Sequence, residues 1–314
     1  MPVSCSGHIS HCIAHIITCA PQSVLDVGCG FGLWGFLCRM YLDVMPERVQ
    51  PPDWKIRIDG IEIHAPYIQA HQRSLYNHVH IADICEMAPQ LDPYDLIIAG
   101  DVIEHLDKDD GETVLRTLYG KARKALLVNI PLGAGWEHGI VHDNPGELHR
   151  SQWEYEDFAP YPNRFQAFET PLGQRYGVFF CPKTCLPKDR AEGLMTAAAW
   201  CESRGELERA TVHLSDAQAI VPEDRGLAMQ AAELLLRQGK TNEAVMALDR
   251  CIDADAAFHY GRCAAARILA AAGKYADAVR RFESLLILPN LDSELRDQVE
   301  LALRQLRDKT PRSQ

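Results

Sequence analysis

The sequence predicts a two-part chain: an α/β domain with a mainly parallel sheet, followed by an all-α array of helical hairpins. Three observations carry this. Before residue 185 short β-branched runs alternate with helical stretches. Near the N-terminus one such run passes directly into a glycine-rich turn and an apolar helix. After residue 190 strand signals give way to an alanine-rich pattern with a fixed period.

The strand runs are residues 23–27, 56–63, 78–82, 94–99, 125–130, 164–169 and 176–180. Only residues 170–175, with Pro171 and Gly173, separate the last two. No crossover helix fits there, so they are expected to pair as an antiparallel hairpin at the sheet edge. In the second half Gly205, Gly239 and Gly273 lie 34 residues apart, as do Ala210, Ala244 and Ala278, and Leu214, Leu248 and Phe282; Pro222 and Pro289 fall near unit ends. Each unit reads as two antiparallel helices, with glycine at the turn and alanine allowing close approach. The array resembles tetratricopeptide (TPR) repeats, with Leu194, Ala228 and Ala264 where that family carries a larger residue. The units are 191–224, 225–258 and 259–292, and Leu295, Val299, Leu303 and Leu306 mark a capping helix over 293–307. The domains read as 1–185 and 191–314, with a linker at 186–190 in the stretch 181–189 that contains Pro182 and Pro187.

Apolar residues make up 47% of the chain and charged residues 24%, the balance of a soluble globular protein. No run of 18 apolar residues is present, and the apolar stretch 13–19 has no basic segment before it. A cytoplasmic location without a membrane span is expected. The 11 cysteines are dispersed, and neither Cys181 with Cys185 nor the series Cys5, Cys12 and Cys19 has zinc-ligand spacing. They read as small hydrophobes of a reduced chain. The net charge of -11 is shared by both halves without a basic platform, which argues against a nucleic-acid partner. A small molecule or a protein is the expected acceptor.

The run Val24-Leu-Asp-Val-Gly-Cys-Gly-Phe-Gly32 is a strand entering a loop whose glycines let backbone approach a ligand. Gly30, Gly32 and Gly35 also satisfy the GxGxxG spacing of dinucleotide enzymes. Those place their ribose-binding acid about 20 residues on, whereas Glu62 stands 30 residues beyond Gly32. The loop resembles that of class I S-adenosylmethionine-dependent methyltransferases. Three further motifs follow in that family's order: Asp59-Gly-Ile-Glu62, Ile81-Ala-Asp-Ile84 and Tyr94-Asp-Leu-Ile-Ile-Ala-Gly-Asp101. The resemblance implies a seven-stranded Rossmann-like methyltransferase sheet and S-adenosyl-L-methionine as cofactor. It places Asp26, Gly28, Cys29, Gly30, Gly32 and Asp101 around the cofactor, Glu62 on the ribose hydroxyls, Asp83 on the adenine amino group and the Ile84 backbone on the ring. Taken singly, Asp26 and Asp83 also read as turn or cap residues.

Methyl transfer needs an aligned nucleophile, exclusion of water and a proton acceptor. Asp101, Glu104, His105 and His149 are the candidate catalytic residues, with His138 and His142 nearby in sequence. Asp101, Glu104, His105 and His149 are similar to a divalent-metal set of methyltransferases acting on adjacent hydroxyls. The first position is Asp instead of Glu, and no metal is assigned. Asn129-Ile-Pro-Leu132 lacks the second proline and aromatic of base N-methyltransferases. The long connection 131–151 reads as an active-site lid. These residues imply methyl transfer to O or N of a small-molecule, carbohydrate-precursor or protein acceptor, the repeats recruiting a protein partner or forming a homodimer. The alternative is a TPR scaffold whose cofactor-binding domain is regulatory.

Overall fold

The central strand Tyr94–Gly100 (β4) is buried at all seven positions, as a continuous apolar run demands when both sheet faces are covered. The computed structural model, which describes residues 6–136, 140 and 143–307, builds a seven-stranded sheet around it. The other strands are Ser23–Val27 (β1), Arg57–Glu62 (β2), His78–Ile81 (β3), Ala122–Leu132 (β5), Arg164–Glu169 (β6) and Arg175–Pro182 (β7). Their order is β3-β2-β1-β4-β5-β7-β6. The first five strands are mutually parallel, and β7 runs antiparallel to both β5 and β6. The expected edge hairpin is therefore present. β5 outruns the expected 125–130 because β7 continues the ladder past Asn129, pairing Pro131 with Tyr176 and Leu132 with Arg175.

Helices Ile9–Cys19 (α1), Leu33–Arg39 (α2), Ala70–Leu75 (α3), Ile84–Met87 (α4), Lys108–Lys121 (α5) and Tyr155–Phe158 (α6) complete the first unit. The core beneath α1 and α2 joins Cys12, Ile16, Trp34 and Cys38 to sheet residues Val24, Ile58, Leu96 and Leu127. The chain order reverses between β1 and β4, so the crevice outside their carboxyl ends is where an open α/β sheet takes its ligand.

The chain divides into two units, Met1–Asp189 and Arg190–Gln314. The segment 186–190, read as a linker, instead contains the first turn of Pro187–Ser203 (α7). Leu207–Ile220 (α8), Arg225–Arg237 (α9), Thr241–Ala254 (α10), His259–Ala271 (α11), Tyr275–Leu286 (α12) and Ser293–Arg307 (α13) follow. The three periodic glycines have φ of 77°, 73° and 76° and stand just past α7, α9 and α11. After each, the next amide reaches back five residues: Glu206 to Cys201, Lys240 to Leu235 and Lys274 to Leu269. This closes the helix in a Schellman turn. The periodic alanines are fully buried. No disulfide forms among the described residues, and no described helix is long and apolar enough to cross a membrane.

A Cβ at Gly239 would meet nothing within 4 Å, so its requirement for glycine lies in the backbone alone. Gly239→Ala should cost about 1 kcal/mol through left-handed strain, and Gly239→Asn less. Urea unfolding of the two variants checks the order.

Candidate active site

The carboxyl ends of β1, β2, β3 and β4 open into one cavity. Its wall includes Gly28, Cys29 and Gly30 after β1, Glu62 on β2, Asp83 and Ile84 after β3, and Gly100 and Asp101 at the end of β4. His105, Asn144, Glu147 and Arg150 complete the opposite side. Gly28, Gly30 and Gly32 have φ of 66°, 47° and 86°, which suits glycine and lets the chain turn back after β1. A Cβ on Gly28 would stand 2.4 Å from Val102 Cγ2, so this turn is also packed against the segment after β4.

Glu62 is buried and held at both oxygens. The Gly30 amide donates to Oε2 at 2.9 Å, and the His64 amide to Oε1 at 2.8 Å. Burial raises its pKa, with the two amide hydrogen bonds acting against that shift. A carboxylate oxygen accepts from more than one donor, so these bonds fix the group while it still faces the cavity. Asp83 plays the cap role that its sequence allows: Oδ1 accepts from the Cys85 amide at 2.8 Å at the start of α4. It lines the cavity as well. Asp101 adopts φ of 52° at the turn out of β4, and its Oδ1 accepts from Tyr176 at 2.6 Å. Tyr176 also accepts from Asn129 Nδ2 at 3.0 Å, so Asn129 supports the wall from within the core.

Asp26, Gly32, Glu104 and His149 are not among the residues that line the cavity. Asp26 is completely buried, with Oδ2 accepting from Tyr76 at 2.6 Å and from the Gly35 amide at 3.1 Å. Burial pushes its pKa up to about 7 despite those two bonds. Glu104 is 1% exposed, and its carboxylate oxygens have no hydrogen-bond partner among the described residues. Burial first, then the charge of Asp101, drives its carboxyl well above the usual range. The amides of Arg150 and Ser151 donate to the Glu104 carbonyl at 2.8 and 3.1 Å, drawing His149 back to this segment. The ligand atoms of Glu104, His105 and His149 lie within 4.8 Å of one another. His138 and His142 lie outside the described residues.

Sequence reasoning missed Tyr67, Glu147, Arg150 and Tyr176. Tyr67 donates to Glu147 Oε1 at 2.9 Å, joining the segment after β2 to the connection after β5. No local motif announces a pair 80 residues apart.

No protein-family model and no curated protein matches this chain. Among solved structures, a S-adenosylmethionine-dependent methyltransferase from Archaeoglobus fulgidus is 16% identical, covering 56% of this chain and 91% of its own, with a TM-score of 0.42. Magnesium protoporphyrin IX methyltransferase from Synechocystis, solved with bound S-adenosylmethionine, is 13% identical over 56% of this chain and 78% of its own, at 0.40. The first TPR domain of Spaghetti, bound to an HSP90 peptide, is 16% identical over 38% of this chain and 91% of its own, at 0.30.

The buried Asp26 carboxyl holds its proton to about pH 7 in the folded chain and to about 4 when unfolded. A raised folded pKa stabilises the fold below the unfolded value, and that contribution is lost as pH climbs from 4 to 7. Wild-type melting temperature should therefore fall relative to Asp26→Asn across this window. An offset independent of pH would contradict the assignment.

Proposed function

We propose that the first unit is an S-adenosyl-L-methionine-dependent methyltransferase and that the strand-end cavity takes the cofactor. The observation that carries this reading is the charge of the wall. Among the described residues it presents four carboxylates, Glu62, Asp83, Asp101 and Glu147, against one guanidinium, Arg150. A dinucleotide would bring a pyrophosphate into that field, whereas S-adenosylmethionine brings a cationic sulfonium and an ammonium group. The same wall offers a carboxylate at the end of β2 for two ribose hydroxyls and one after β3 for an amino group, flanking a glycine loop that admits backbone closely.

In the transfer the sulfonium supplies an electrophilic methyl group, and the protein aligns the acceptor and takes a proton where one must leave. His105 is the wall imidazole available for that proton, which favours a hydroxyl acceptor. Small molecules, carbohydrate precursors and proteins remain the acceptor classes. The helical hairpins of the second unit fit recruitment of a protein partner or pairing with a second copy, since such arrays present a long rigid face.

Isothermal titration of the full chain with S-adenosylhomocysteine and with NAD tests the reading; binding of NAD alone would defeat it. Glu62→Ala should weaken S-adenosylhomocysteine by about 1.5–3 kcal/mol, the worth of hydrogen bonds to a charged group. Labelled methyl transfer into cell extract, divided into small-molecule and protein fractions, then identifies the acceptor class.

A further inference from the structure

We infer that His11 and His15 on α1 form a two-imidazole chelate for one Ni²⁺ or Cu²⁺ ion, in preference to Zn²⁺, at a site separate from the strand-end cavity. Four residues apart on one helix, the two side chains leave the same face one turn apart, the spacing by which helical histidine pairs share a cation. Their Nε2 atoms stand 3.1 Å apart while the ring centroids are 4.6 Å apart, so the nitrogen edges face each other. Two nitrogens at that separation, each about 2.1 Å from a common ion, subtend an angle of about 95° at it. This is the relation of neighbouring ligands in a tetragonal site, which Cu²⁺ and Ni²⁺ adopt, and is narrower than the tetrahedral angle of a zinc site.

The sheet edge holds both rings in place. His15 lies flat on Phe180 of β7, with centroids 4.4 Å apart and planes 7° apart, and His11 meets Phe168 of β6 edge to face at 5.8 Å. Cys12 and Ile16, the residues that follow each histidine, are buried in the core and seat α1 against the sheet. Both ligands are thus carried by a packed element, so binding an ion orders little that is not already ordered. The two histidines themselves are half-buried, which leaves the remaining coordination positions to water. Imidazole suits copper and nickel, whereas Mg²⁺ asks for oxygen ligands and keeps its water. Arg164 is the cation beside His15, and its pairing with Asp189 at 2.8 Å offsets its repulsion of a bound ion. Neither histidine lines the cavity, so the site stands whether or not that cavity holds a methyl donor. A proton shared between the two rings also spans 3.1 Å, and the experiment separates the two readings.

The test is calorimetric titration of chelator-treated full-length protein with Ni²⁺, Zn²⁺ and Mg²⁺. Nickel is the primary probe because Cu²⁺ oxidises free thiols, which this chain carries. One equivalent of Ni²⁺ is expected at the pair, bound more tightly than Zn²⁺, with Mg²⁺ giving no signal. His11→Gln and His15→Gln should each lower Ni²⁺ affinity by about tenfold or more. The ligand atoms of Glu104, His105 and His149 also lie close together, so His149→Ala is the control and should keep the equivalent that the glutamine variants lose. In chelator His11→Gln should melt with wild type, which shows the fold intact, and Ni²⁺ should raise the melting temperature of wild type alone. As a second signal, paramagnetic Ni²⁺ should broaden the imidazole proton resonances of His11 and His15 before those of any other histidine. Absence of Ni²⁺ binding to wild type would overturn the inference and leave the pair a shared-proton contact. So would an equivalent preserved in both glutamine variants, one lost in His149→Ala, or Zn²⁺ bound more tightly than Ni²⁺.

Discussion

The geometry of the cavity depends on one buried carboxylate. Asp26 lies on the strand that enters the glycine loop, and its Oδ2 gathers the Tyr76 hydroxyl and the Gly35 amide. Those two groups come from the segment after α3 and from α2, so a single side chain ties three pieces of chain around the turn between Gly28 and Gly32. The packing leaves no slack: a Cβ on Gly35 would stand 2.1 Å from Tyr76 Cζ. Burying a carboxylate this deeply is costly unless hydrogen bonds compensate, and here both donors are themselves buried. The glycines then hold left-handed angles because the chain on either side of them is fixed.

From that fixed turn the functional groups follow by strand order. Parallel strands deliver their carboxyl ends to one side of the sheet, so Glu62, Asp83 and Asp101 reach the same cavity from three strands. The connection after β5 covers it from the far side through Glu147 and Arg150, with Tyr67 bonded to Glu147. Acidity is thus concentrated at the strand ends that line the cavity, a field that favours cationic over anionic ligands. Glu104 belongs to the same turn as His105 but is buried, and it is not among the residues that line the cavity.

The fold was legible to the extent that it is local. Alternating strand and helix patterns gave the strands within a few residues, and the short 170–175 connection forced the antiparallel hairpin. The 34-residue period located each Schellman glycine because one residue type is needed at a left-handed position. β5 ran longer than read because its extension is set by β7, a partner distant in sequence. At the site, Glu62 and Asp83 were readable from strand ends, but Asp26 proved to support the loop from behind, a distinction only burial reveals. Asp83 both caps α4 and lines the cavity. Tyr67, Glu147 and Tyr176 carried no motif, since their roles arise from tertiary pairing.

A crystal structure of the chain with S-adenosylhomocysteine tests the central claim most directly. The account predicts the ribose hydroxyls within hydrogen-bond distance of the Glu62 carboxylate, the adenine beside Asp83 and Ile84, and the backbone of Gly28–Gly30 against the ligand. Ligand density elsewhere on the chain, or a ribose turned away from Glu62, would contradict it.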